Sequence, residues 1–253
     1  MTMTTPPSAI DSSAPQPARI SAFGRLTGVL FNPKATFEDI AAKPGFVLPL
    51  VIIVVLTLAI VAVFSQRVGW RTFMEQQFAK SPQTANLSPE DREQRMATAV
   101  KIAPIIAYVQ AVIAAPIAAL IIGAVLMGVF NLIAGARVSF AQAISIVSYS
   151  WVPGILAGVI GLILLFVKSP DTIDLEHLVA SDVGAFLSGD SPKWLMSLCT
   201  SMNLFTFWTI ALVGVGFSAA SPKKVSIGKG ITIVVACWAL YVLAKVGWVG
   251  AFS

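Results

Sequence analysis

The fold class this sequence predicts is all-α: a polytopic membrane bundle of about five transmembrane helices with an interfacial N-terminal helix. Three observations predict it. Of the 253 residues 57% are hydrophobic and 11% charged, with a mean hydropathy of +0.84, whereas a soluble domain has about 45–50% apolar and about 25% charged residues. Apolar runs recur along the chain at the ~20-residue length that crosses a bilayer core. The stretches between those runs leave little extramembrane mass, so the excess apolar surface must face lipid.

Residues 1–20, rich in Thr, Pro, Ser and Ala, lack the charged start and apolar core of a signal peptide and are expected to form a disordered tail. Residues 21–253 form the membrane domain. Within Pro33–Ala42, Asn32 suits a helix cap, Pro33 a first helical position, and Pro44-Gly45 a stop. Phe37 and Ile40 share one side, with Lys34, Glu38 and Lys43 mostly elsewhere. This helix is too short and polar to span. It is expected to lie in the interface, the alternative being a cap helix packed on the bundle. The spans follow at about 46–64, 102–134, 141–167, 195–220 and 230–248. Ser88-Pro89-Glu90-Asp91 is a helix start, so the polar stretch 67–101 ends in a helix feeding the second span. That second run is too long for a minimal crossing and holds Pro104 and Pro116, so it should be kinked or tilted.

Cations on the two sides of such a topology number eight each, leaving Lys245 aside. The short connectors, holding Arg137 and Lys223, Lys224 and Lys229, set the expectation of a cytoplasmic N-terminus. No basic block exists to bind nucleic acid. Cys199 and Cys237 lie in apolar segments without a CxxC partner, which argues against a disulfide framework or zinc site. The single histidine, His177, sits in an acidic loop without the ligand spacing a metal site needs. GxSxG, HExxH and Walker motifs are absent from the sequence. The expectation is no catalytic residue, no cofactor and no metal.

Small residues four apart mark helix contacts in lipid. Ala111, Ala115, Ala119 and Gly123 form one such column and Gly154 and Gly158 another. They seal one bundle or join copies of the chain. Pro153 removes a backbone donor inside the third span, beside Ser148, Tyr149 and Ser150. With Asn203 in the fourth span, Tyr149, Ser150 and Pro153 are candidates for a satisfied kink or for the lining of a small-molecule cavity. No carboxylate lies within a span, which weighs against a proton-coupled pump.

Two segments resemble the Yip family of Ypt/Rab-interacting membrane proteins, and more closely its bacterial branch. One is Phe31-Asn32-Pro33-Lys34-Ala35-Thr36-Phe37-Glu38-Asp39-Ile40 leading to Pro44. The other is Gly135-Ala136-Arg137-Val138-Ser139-Phe140-Ala141-Gln142-Ala143, followed by Tyr149-Ser150 and Pro153. The resemblance covers about residues 22–250. It implies five spans with a cytoplasmic N-terminus and a non-enzymatic role; eukaryotic relatives act in vesicle trafficking, contacting small GTPases and one another and affecting membrane shape. The implied function is a membrane scaffold or interaction protein of the bacterial cytoplasmic membrane. Its partners would be the lipid bilayer and a membrane protein or second copy. A small-molecule transporter or facilitator is the alternative.

Overall fold

The computed structural model describes residues 20–80, 87–169, 173, 178–188 and 191–252. The tail expected at 1–20, apart from Ile20, lies outside these residues, and so does His177.

Ser21 caps α1 (Ala22–Phe31), its hydroxyl accepting the Gly24 N–H at 3.0 Å. Pro33 opens α2 (Pro33–Ala42) directly after Asn32, where a missing N–H costs no helical bond. The first span is α3 (Val47–Arg67), followed by α4 (Trp70–Lys80). Ser88 caps α5 (Pro89–Ile133) by accepting the Asp91 N–H, with Glu90 and Asp91 in the first turn, where they complement the helix dipole. The helix expected in the preceding loop and the second span are therefore one 45-residue helix. At 1.5 Å per residue it is ~68 Å long, more than twice a hydrocarbon core of ~30 Å. Its charged first turns must project beyond the bilayer. Arg71 of α4 bridges this projection through Glu93 at 3.3 Å while also binding Glu75 at 3.1 Å.

The left-handed Gly135 (φ +62°) ends α5, with the Ala136 N–H donating back to Phe130 O. A reciprocal capping box of Ser139 and Gln142 then starts α6 (Phe140–Ser150), and α7 (Val152–Val167) continues after Trp151. Beyond a 3₁₀ turn at Val183–Phe186 come α8 (Lys193–Ser201), α9 (Leu204–Ala220) and α10 (Ile227–Phe252).

Four segments are long and apolar enough to cross a membrane: α3, α5, the α6–α7 pair and α10. The fourth span expected at 195–220 is not one helix. It divides at Met202-Asn203 into α8 and the 17-residue apolar α9. At ~26 Å, α9 alone falls just short of the core thickness. The division has a local cause. Residues 181–183 dock against it, with Leu204 N–H donating to Ser181 O, Val183 N–H to Met202 O, and an antiparallel bridge between Asp182 and Asn203. Backbone groups that a continuous helix would have paired internally are satisfied by this loop. Neighbouring α10 packs on both α9 and α8.

The buried core is concentrated at one end. Eighteen buried hydrophobics from α1, α2, α5, α6, α9, α10 and their turns form one cluster, against three in each of two others among the described residues. Toward the opposite end α3 lies between α5 and α7, and the apolar outer face of α5 is left for lipid.

Candidate functional site

The two motif-bearing segments of the sequence meet at this crowded end. α1 and α2 fold back on each other about Asn32, pairing residues equidistant from it. Four positions either side, Gly28 faces Thr36 so closely that a Cβ would strike the Thr36 hydroxyl. Seven positions either side, Arg25 meets Asp39, Nε to Oδ2 at 2.7 Å, with side chains only 8% and 18% exposed. Arg25 Nη2 also donates to Asp39 O at 3.3 Å. The pair lies beside the phenol of Tyr149 on α6, whose hydroxyl donates to Ala22 O at 3.4 Å. Phe37 and Ile40 project into the bundle and are fully buried. Gly216 of α9 permits this approach: a Cβ there would meet Ile146 and lie 3.1–3.2 Å from Phe37 ring carbons.

The α5–α6 turn completes the layer. Asn131 clamps it with both ends of its amide, donating to Val138 O and accepting the Val138 N–H, each at 3.0 Å. Gln142 serves two helices, accepting the Ser139 N–H at 2.9 Å and donating to Ala41 O at the end of α2, also at 2.9 Å. Phe130 stacks on Phe217 with centroids 4.2 Å apart, tying the ends of α5 and α9.

The apolar side of α2 that the sequence directs to the interface through Phe37 and Ile40 is thus taken up by protein. The face left exposed belongs to α1, where Phe23 and Phe31 stand outward with Thr27 between them. Pro33 keeps its role as the start of α2.

The kink candidates do not line one cavity. Ser150 is buried and donates to Ile146 O at 2.7 Å; Ser148 and Ser145 bond Ile144 O and Ala141 O in the same way. These hydroxyls are occupied within their own helix. Pro153 lies in the first turn of α7 after the break at Trp151. Asn203 caps α9, accepting the Phe205 N–H at 2.9 Å and donating to Ser181 Oγ at 2.7 Å. It precedes Gly216 by thirteen residues, about 20 Å along the helix, so it is remote from Tyr149. A separate cleft of about 250 Å³ between α3 and α7 is lined by Ile53, Leu56, Thr57, Ile60, Trp151, Gly154, Ile155 and Gly158. Its one hydroxyl, Thr57, donates to Ile53 O at 2.8 Å.

The small-residue columns work inside the bundle. Ala111, Ala119 and Gly123 are buried and Ala115 half-buried, with Ala115 and Ala119 packed beside Leu50 and Ile144. A Cβ on Gly123 would come within 3.3 Å of the Ile144 backbone. Gly158 receives Leu56, whereas Gly154 opens on the cleft with nothing within 4 Å of a Cβ.

Sequence reasoning missed the Arg25–Asp39 pair, the Asn131 clamp and Gly216. The symmetric spacing of Arg25 and Asp39 about Asn32 was the available signal for the first. Among the described residues no group of three or more His, Cys, Asp or Glu could hold a metal ion.

Searches of curated proteins and of solved structures returned no match. A family model described as the Yip1 domain matches residues 27–249. That match takes in Gly28, Thr36, Asp39, the Asn131 clamp, Gln142 and Tyr149, the first three spans and all but the end of α10. The chain belongs to the Yip1 domain family.

Proposed function

We propose that this protein is a non-enzymatic scaffold or interaction protein of a bacterial cytoplasmic membrane, with a cytoplasmic N-terminus, acting on membrane organisation or on partner proteins. The observation that carries the reading is the two-sided α1–α2 hairpin. Its inner face is locked by Arg25–Asp39, Phe37 and Ile40, while its outer face leaves Phe23 and Phe31 exposed. A rigidly held element that presents large apolar groups is suited to contact with another surface. Family membership supports the non-enzymatic part, because Yip proteins are generally non-enzymatic membrane proteins.

The test is photo-crosslinking in native membranes with a photoreactive residue at Phe23 or Phe31, followed by mass spectrometry. A reproducible membrane-protein adduct or a lipid adduct at these positions supports the reading. Adducts confined to the chain itself would overturn it. The facilitator alternative rests on the division between α8 and α9, since discontinuous helices carry substrate sites in many transporters. It requires solute flux in vesicles that Asn203→Ala abolishes.

A further inference from the structure

We infer that the crowded end of the bundle is a docking surface for the headgroups of anionic phospholipids. The inference requires only that the chain resides in a bilayer. Three contacts establish that the relevant groups share one end. Gln142 joins the start of α6 to the end of α2. The Phe130–Phe217 stack joins the ends of α5 and α9. Ser218 Oγ donates to Val225 O at 2.9 Å and closes the α9–α10 turn.

Around this end stand Lys34, Lys43, Arg137, Lys223, Lys224 and Lys229, all exposed. Arg25 is cancelled by Asp39, and the exposed acid nearby is Glu38. The two ends of the molecule thus differ in a way that counting cations alone conceals. Among the described residues the segments 20–46, 134–140 and 221–230 hold seven cations and two acids, whereas 67–101 and 168–193 hold eight and five. The excess of cations over acids is therefore larger at the crowded end.

The apolar groups there identify the occupant as lipid. Arg137 sits on the α5–α6 turn between Leu132 and Ile133 on one side and Phe140 on the other, and Leu132 and Ile133 are 87% and 71% exposed. These side chains continue the exposed apolar face of α5 that runs through Ile121, Ile122 and Val125, the face left for the acyl chains. A cation flanked by apolar groups at the edge of a lipid-facing surface suits the boundary where acyl chains meet phosphates. Basic groups at that level attract anionic headgroups and are screened by salt.

The full chain is reconstituted in phosphatidylcholine vesicles containing spin-labelled phosphatidylglycerol or spin-labelled phosphatidylcholine. The motionally restricted fraction then reports relative association. The expected result is a preference for phosphatidylglycerol that weakens at high salt. A cation near an anionic surface is worth roughly fivefold, so the four-site variant Arg137→Gln/Lys223→Gln/Lys224→Gln/Lys229→Gln should lose at least the roughly fivefold that one such cation supplies. The control variant Arg92→Gln/Arg95→Gln, at the opposite end, should keep the preference. All six positions are exposed, so folding is not threatened, and circular dichroism verifies it. The inference is overturned if the wild type shows no preference, or if the four-site variant keeps it. It is also overturned if Arg92→Gln/Arg95→Gln loses the preference equally, or if the basic end captures an acidic protein while lipid selectivity stays flat.

Discussion

Replacing Asp39 with alanine removes the carboxylate that Arg25 binds and strands a guanidinium whose side chain is 8% exposed. Removing one partner of a buried ion pair typically costs ~3–5 kcal/mol, because the other charge is left without compensation. Two features place this case at the lower end, at about 3 kcal/mol: Asp39 is itself 18% exposed, and the bond from Arg25 Nη2 to Asp39 O survives the substitution. The companion variant Arg25→Met/Asp39→Leu removes both charges and fills the space with apolar atoms. Such replacements are often neutral or stabilising, so it should lie within about 1 kcal/mol of wild type. The assay is reversible unfolding of the full chain in mixed micelles with a rising fraction of dodecyl sulfate, followed by circular dichroism. If Asp39→Ala costs less than about 1 kcal/mol, or if the double variant is as damaged as the single one, the pair does not hold the N-terminal layer as described.

The same titration reads the other expectations. Gly214→Ala places a Cβ 2.6 Å from the Ile231 backbone, so it must push α9 from α10 and cost about 2 kcal/mol or more, as overpacking does; a neutral result would mean that this contact is looser than described. Gly154→Ala meets nothing within 4 Å and should stabilise by roughly 0.5–1 kcal/mol through reduced backbone entropy. Asn131→Ala leaves both backbone groups of Val138 without their partner, at ~1–3 kcal/mol if they stay buried. Phe217→Ala removes the ring stacked on Phe130 and should cost ~3–5 kcal/mol.

The membrane fold was legible because its causes are local. Apolar run length marks a span wherever it falls, and Ser88-Pro89 with Glu90 and Asp91 marks a helix start from four adjacent residues. The partition within the spans was not legible. Leu195–Ala220 reads as one apolar run, yet Asn203 is held out of helix by a loop more than twenty residues earlier. Such long-range hydrogen bonds leave no trace in hydropathy. For α2 the sequence gives an amphipathic pattern but not what its apolar side meets; whether lipid or protein covers Phe37 depends on Gly216, far along the chain. Ala119 packs beside Ile144, and a Cβ on Gly123 would come within 3.3 Å of the Ile144 backbone; close approach of this kind needs small side chains whatever the partner helix is. The Tyr149–Ser150–Pro153 cluster shows the opposite limit. Its side chains fit a satisfied kink or a cavity lining equally, because a hydroxyl bonded to its own helix, as Ser150 is, presents the same letters as one facing a solute.

The uneven distribution of the core has a mechanical consequence. With six helices sharing the large buried cluster at the hairpin end, and three buried residues in each of the two smaller clusters among the described residues, an outward pull on the hairpin end is resisted by more packed side chains than one elsewhere. The helix ends remote from the hairpin thus have room to shift against one another while the close-packed end keeps its shape.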